Sequence, residues 1–269
     1  MEGHSIGGIM KIIVCIKQVP DTTDIKIDPE TNRIIREGVE AIINPYDTYA
    51  IEEALRLKEK YGGETIVLSM GPPQAESALR GALSLGIDQG ILLSDKDFAG
   101  SDTLATSYTL GQAIKKIGFD IIICGKEAMD GSTGQIGPEL AETLGIPHIA
   151  YVSKVIEIKE KRLKVERMME DHYEIFETSF PALITVTKEI NEPRLPSLRG
   201  TLRAKKEKIT AWNASDLKGE KERFGADGSP TWVIKVFRPE VRKQGIILEG
   251  NVSEIADKLY QELKKQNIL

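Results

Sequence analysis

The chain has 269 residues, 41% of them hydrophobic, with 36 basic and 41 acidic residues and a net charge of −5. That length supports one sizeable core, and the mixed, slightly acidic charge argues against a nucleic-acid-binding surface, which needs a basic excess. No apolar run approaches the roughly 18 residues that span a membrane, no Cys-x-x-Cys pair offers zinc or iron–sulfur ligands, and three scattered histidines make no metal site.

Met1–Ile9 lacks the basic start and long apolar stretch of a secretory signal. It reads as a tag remnant or as residues ahead of an alternative start, with Met10 opening the first strand. Lys11–Ile16 (KIIVCI) is a run of β-formers with little alternation, as expected of a strand buried on both faces. In Asn44–Tyr61 the residues Tyr46, Tyr49, Ala50, Ala54, Leu57 and Tyr61 recur at helical spacing, and Gly62-Gly63 stops the helix. Strands are then expected over Glu64–Met70, Gly90–Ser94 and Phe119–Cys124, and helices over Pro72–Leu85, Thr103–Ile117 and Gly137–Leu144. Such alternation with short connections predicts a parallel sheet covered on both faces.

After Tyr151 the pattern changes. Val152–Ile158, Arg162–Met169 and Tyr173–Thr178 alternate as antiparallel strands do, and Ala182–Val186 returns to a buried-strand pattern. Asn191–Lys208 holds Pro193, Pro196 and Gly200 and few core residues, so it reads as an extended, locally basic arm. Val252–Lys265 is a last amphipathic helix. Cys15 and Cys124 sit inside apolar runs, which suits a reduced, cytosolic location better than a disulfide framework.

The most informative stretch is Gly125–Gly137 (GKEAMDGSTGQIG), between a strand and a helix, where open α/β sheets bind ligands. Gly131, Ser132, Thr133, Gly134 and Gln135 offer backbone N–H groups and hydroxyls to a phosphate at a helix start. Asp130 is placed to accept from ribose hydroxyls or to fix the loop. The stretch fits neither the Walker pattern nor Gly-x-Gly-x-x-Gly, and a glycine-rich turn capping a helix is the competing reading. Three further segments end strands or start helices at the same edge: Cys15–Lys17, Ser69–Pro73 with Met70 and Gly71, and Ser101–Ser107 with Asp102, Thr103 and Thr106. Asn44-Pro45-Tyr46-Asp47 starts a helix, as plain capping also would. Their convergence on one sheet edge argues for a site.

Lys11–Asp21, Asn44–Lys58, Ser69–Pro73, Gly125–Gly137 and Val165–Thr185 (VERMMEDHYEIFETSFPALIT) resemble, in order and spacing, the β subunit of electron-transfer flavoproteins. The departure is Phe176, where the family pattern carries a smaller aliphatic residue. The resemblance covers roughly Lys11–Lys208. It implies an adenosine nucleotide held by Cys15, Asn44–Asp47, Met70 and the Gly125–Gln135 loop. The nucleotide is AMP in the simpler branch and a complete FAD in the electron-bifurcating branch. Met70–Glu76 and Ser101–Ser107 look like the second branch, with Asp102, Thr103 and Thr106 towards a ribityl chain or flavin. The resemblance also implies NADH as electron donor and an α-subunit partner carrying its own FAD. Further partners are an acyl-CoA-type or related dehydrogenase and ferredoxin or flavodoxin; no general base is called for. Glu192–Lys205 looks like the loop that docks on such dehydrogenases, with Leu198 as anchor and Arg194, Arg199, Arg203 and Lys205 as a steering rim.

The expected fold is therefore α/β: an open, mostly parallel Rossmann-like sheet with helices on both faces, an antiparallel extension and a protruding recognition arm. The expected divisions are 1–9 as a loose start, 10–190 as the nucleotide-binding domain, 191–208 as the arm, and 209–269 as a tail whose helix packs on the partner. An adenine-nucleotide sensor resembling universal stress proteins would need no Val152–Lys208 extension. An adenylating enzyme would need a Ser-Gly-Gly-x-Asp-Ser loop where Lys17-Gln18-Val19-Pro20 stands.

Overall fold

The computed structural model describes residues 9–21, 26–27, 34–35, 41–234 and 245–269. The expectation for Met1–Ile9 lies, save for Ile9, outside them. The chain divides into two compact units, Met1–Ile234 and Lys235–Leu269. The first is built on β1 (Lys11–Cys15), β2 (Gln18–Pro20), β3 (Lys26–Ile27), β4 (Ile34–Ile35), β5 (Ala41–Ile43), α1 (Pro45–Tyr61), β6 (Glu64–Met70), α2 (Glu76–Leu85), β7 (Gln89–Leu93) and α3 (Thr103–Ile117). It continues with β8 (Ile121–Gly125), α4 (Ile136–Leu144), β9 (His148–Lys159), β10 (Arg162–Met168), β11 (Tyr173–Ser179), β12 (Ala182–Val186), α5 (Leu198–Lys206) and β13 (Thr210–Trp212). The second unit contributes α6 (Val252–Lys265).

One nine-stranded sheet runs β11-β10-β9-β12-β8-β1-β6-β7-β13. The strands from β9 to β13 along this order pair in parallel, and β10 and β11 extend it antiparallel, as the alternation in their sequences predicts. Because successive side chains on a strand point to opposite faces, β1 feeds two cores. Ile12 and Val14 join α1 and α2 residues such as Ile51, Leu55, Leu79 and Leu83. Ile13 and Cys15 join α3 and α4 residues such as Tyr108, Ile114 and Leu140. This double burial is why KIIVCI shows no alternation.

Boundaries move where side chains intervene. β8 starts at Ile121, not Phe119, because Asp120 ties the strand entrance: its Oδ2 accepts the Lys11 N–H at 2.8 Å. Pro73–Ala75 forms a tight 3-10 turn, so α2 begins only at Glu76. β9 is longer than expected because it serves both leaves of the sheet; a bulge where it meets β12 accompanies Tyr151 at φ 59°. The short pairs β2–β5 and β3–β4, and β13 on β7, have too few residues to announce themselves by periodicity.

The arm departs most from expectation: its second half is the helix α5. Ser197 caps it, its Oγ accepting from Gly200 N–H at 3.0 Å. The breakers are not obstacles here, since Pro196 precedes the cap and Gly200 faces α2. A Cβ on Gly200 would press into the Ser84 carbonyl. Arg203 donates to the Leu83 and Ile87 carbonyls at 2.7 and 2.6 Å, satisfying acceptors at the end of α2. Arg80 returns a bond to the Ala204 carbonyl at 2.6 Å.

Arg194 and Arg203 are therefore not free rim cations. Arg194 donates to Glu52 at 2.7 Å and to Glu59 at 2.6 Å. Burial alone would raise the Glu52 carboxyl, but Arg194 and then Arg56 outweigh it and hold it below its usual value. Arg194→Ala should thus act on stability, lowering it by about 1.5–3 kcal/mol, the weight of charged hydrogen bonds. Urea unfolding checks this; unchanged stability would return Arg194 to the solvent.

Candidate functional site

Strand β1 lies between β6 and β8, so the chain leaves it in one direction and later returns on its other side. That reversal opens a crevice at the carboxyl ends of the strands. A cavity of about 870 Å³ occupies it, towards the upper end of the usual range for small-molecule sites. All fifteen residues expected to hold the nucleotide line it: Cys15, Asn44, Asp47, Met70, Gly71, Asp102, Thr103, Thr106, Gly125, Asp130, Gly131, Ser132, Thr133, Gly134 and Gln135.

Several of them spend their polar atoms on the protein itself. Asn44 stands at the N-cap of α1, but its side chain does not cap the helix. Its amide donates to Asp47 Oδ1 at 3.0 Å and to the Glu127 carbonyl at 2.8 Å, and its oxygen accepts from Met129 N–H at 3.0 Å. Asp47 accepts from the Lys17 N–H at 2.7 Å. Together they clamp the end of β1 and the glycine-rich loop to the start of α1. Asp102 caps α3, accepting from Ala105 N–H at 3.0 Å, and also accepts from Thr231. Thr103 Oγ1 donates to Glu139 at 3.0 Å.

Other groups stay open to a ligand. Among the described residues no side chain caps α4, whose first residues Ile136 and Gly137 line the cavity. Its unpaired N–H groups and dipole favour an anion there. Ahead of it the loop turns through Ser132 (φ 50°) and Gly134 (φ 63°). Lys17 Nζ pairs with Asp130 Oδ1 at 2.6 Å between the β1 exit and this loop. Cys15 and Cys124 are free, buried and in register on β1 and β8 at the cavity. The adjacent Cys15 thiol, then burial, push the Cys124 thiol well above its usual range, so it stays protonated at neutral pH.

Burial pushes the Asp47 carboxyl up to about 7, against the opposing pull of hydrogen bonds from Asn44, Lys17 and Gly125. The folded chain thus holds this proton more tightly than the unfolded one, whose value is 3.8. Its contribution to stability is full below that value and is lost as pH rises towards 7. Wild type should lose more stability than Asp47→Asn between about pH 4 and pH 7. Denaturant midpoints across that window test it; parallel curves would show Asp47 ionised throughout.

Sequence reading missed Gln18, Thr231 and Val233, which also line the cavity beside the segments expected there. Gln18 follows close on a buried strand, which is a usable signal. Thr231 and Val233 lie more than ninety residues from the other lining groups, and nothing local marks them.

The arrangement can hold a nucleotide: a deep crevice, an uncapped helix start and a glycine-rich loop. A comparison with protein families matches residues 31–217 to the electron transfer flavoprotein domain. The chain belongs to the electron transfer flavoprotein family, as a β-type subunit.

The electron transfer flavoprotein subunit beta of Thermoanaerobacterium thermosaccharolyticum is 48% identical over 97% of this chain and 100% of its own. The caffeyl-CoA reductase-Etf complex subunit CarD of Acetobacterium woodii is 45% identical, with the same two shares covered. Protein FixA of Azorhizobium caulinodans is 43% identical over 96% of this chain and 95% of its own. Family membership displaces the stress-protein and adenylating readings. No helix among the described residues is long and apolar enough to cross a membrane.

Proposed function

We propose that this chain is the β subunit of a bifurcating electron transfer flavoprotein. It holds a complete FAD and takes electrons from NADH. It delivers them towards an α-subunit FAD and an acyl-CoA-type dehydrogenase, and towards ferredoxin or flavodoxin. The observation that carries this reading is the reach of the cavity, from Asn44, Asp47 and Gly125 at β1 and β8 to Asp102, Thr106 and Thr231 at the start of α3. β7, which leads to α3, lies two strands from β1, roughly 10 Å across the sheet. The printed name of CarD, a subunit of a caffeyl-CoA reductase complex, supports an acyl-CoA-type partner.

The residues fit such a cofactor. The start of α4 and the Gly131–Gln135 loop would take the pyrophosphate. Met70 and Leu110 would give apolar walls, and Thr106 remains free to bond a ligand, with no protein hydrogen bond to its side chain among the described residues. When bound, the flavin supplies the electron chemistry, and the protein supplies position and a dry environment. The exposed Val252, Leu259 and Tyr260 of α6 suit packing on the α subunit.

A second reading, a β subunit holding a structural AMP, draws on one observation. Asp102 and Thr103, expected to meet the ribityl chain, are already hydrogen-bonded within the protein. Extracting and counting nucleotides from the purified αβ complex separates the two. Two FAD per heterodimer is the expected result. One FAD and one AMP would assign the protein to the simpler branch.

A further inference from the structure

One wall of the cavity comes from far along the chain. After β13, residues 220–231 run along the amino end of α3. The Glu220 N–H donates to the Tyr108 hydroxyl at 2.8 Å. Phe224 is buried against Phe98 and Tyr108, each 5.4 Å between ring centroids. Ala226 N–H donates to the Ala99 carbonyl at 3.0 Å. The segment then reaches Asp102, which grips it three times. The Asp102 N–H donates to Ser229 Oγ at 2.8 Å, and Asp102 Oδ2 accepts from the Thr231 N–H at 3.1 Å and the Thr231 hydroxyl at 2.8 Å. Beyond this grip, Thr231 and Val233 line the cavity.

We propose that Ser229–Val233 is a strap that selects a dinucleotide over a mononucleotide, with Thr231 as its positioning residue and Asp102 as its post. The inference rests on the FAD reading above. The groups that serve a mononucleotide sit at the ends of β1 and β8 and at the start of α4. The strap sits at the start of α3, past β6 and β7 in the sheet, and is met only by a ligand that continues in that direction. Asp102 suits the role of post. Burial alone would raise its carboxyl, but hydrogen bonds from Ala105 and Thr231 outweigh it and hold it below its usual value, so it is an anion at neutral pH. One oxygen is committed to the helix cap, which fixes the other in place for the strap.

Calorimetric titration of the nucleotide-depleted αβ complex, once with FAD and once with AMP, tests the inference. Thr231→Val removes the hydroxyl donor and keeps the size; Thr231→Ser keeps the hydroxyl. Thr231→Val should weaken FAD about tenfold more than AMP, the weight of one hydrogen bond to a carboxylate. Thr231→Ser should restore the wild-type ratio. Equal weakening of both ligands, no weakening, or a serine variant as poor as valine would overturn the strap. A wild-type complex that binds AMP and not FAD would instead overturn the FAD reading, and the strap with it, before any variant is made.

Discussion

Gly125→Ala should lower stability by about 3 kcal/mol, at the upper end of what overpacking costs, and should empty the site of nucleotide. Gly125 closes β8 where the loop begins, and α1 starts directly against it. A Cβ there would lie 2.7 Å from the Tyr46 carbonyl carbon and 2.8 Å from its Cβ, and would press on Asp47 Oδ1. Neither backbone nor clamp can yield cheaply. Tyr46 is held in the first turn of α1, and Asp47 is fixed by Lys17 and Asn44. Any relief moves the start of α1 away from β8 and breaks the bond from Gly125 to Asp47. The melting midpoint should fall by roughly 6–12 °C for a domain of this size. Gly131→Ala is the matched control, since its Cβ would meet nothing within 4 Å; it should stay within about 0.5 kcal/mol of wild type. Thermal melts of both variants decide the matter. A Gly125→Ala protein that melts like the control would mean that β8 and α1 are not packed this closely.

The contrast between these glycines marks what a sequence can and cannot disclose. Both stand in one motif, and the motif is readable because a strand, a small-residue loop and a helix follow one another directly. The parallel core is readable for the same reason: Ile12 to Ile16 and Ile121 to Cys124 are buried on two faces, so hydrophobicity is written into every position. That Gly125 is crowded and Gly131 open depends on α1, some eighty residues away in the chain. The polar residues behave likewise. Asn44 and Asp102 are legible as helix-start residues, but the partners of their side chains, Met129 and Thr231, are set by the tertiary fold. The arm was misread because Pro196 and Gly200 count as breakers in a window of sequence. In place, the proline lies ahead of a serine cap and the glycine meets Ser84. Charge was misread for a related reason. Arg194 and Arg203 have Glu192 and Glu207 near them in sequence, but the partners they take lie on α1 and at the end of α2.

These corrections sharpen the prediction for Leu198. It is the first residue of α5 and is 79% exposed, with Leu195 at 89% before it and Leu202 at 52% one turn on. The helix beneath is fastened through Arg203, Arg80 and the buried Ala204, so the apolar patch is presented on a fixed base. A patch that is already ordered loses little entropy on docking. Burying Leu198 in a dehydrogenase pocket would contribute roughly 1.5–3 kcal/mol, or about ten- to a hundredfold in affinity. Leu198→Ala should therefore slow electron delivery to the dehydrogenase at least about tenfold when that partner is below saturation. Its melting midpoint and the rate of reduction by NADH should not change, because the side chain is mostly exposed. With Arg194 committed to Glu52 and Glu59, steering falls to Arg199 and Lys205. The salt dependence of the encounter should then drop on neutralising Arg199, and stay as it is on neutralising Arg194. Stopped-flow transfer rates at two ionic strengths read both effects. Transfer at the wild-type rate in Leu198→Ala, or a markedly lower melting point, would remove Leu198 from the docking surface.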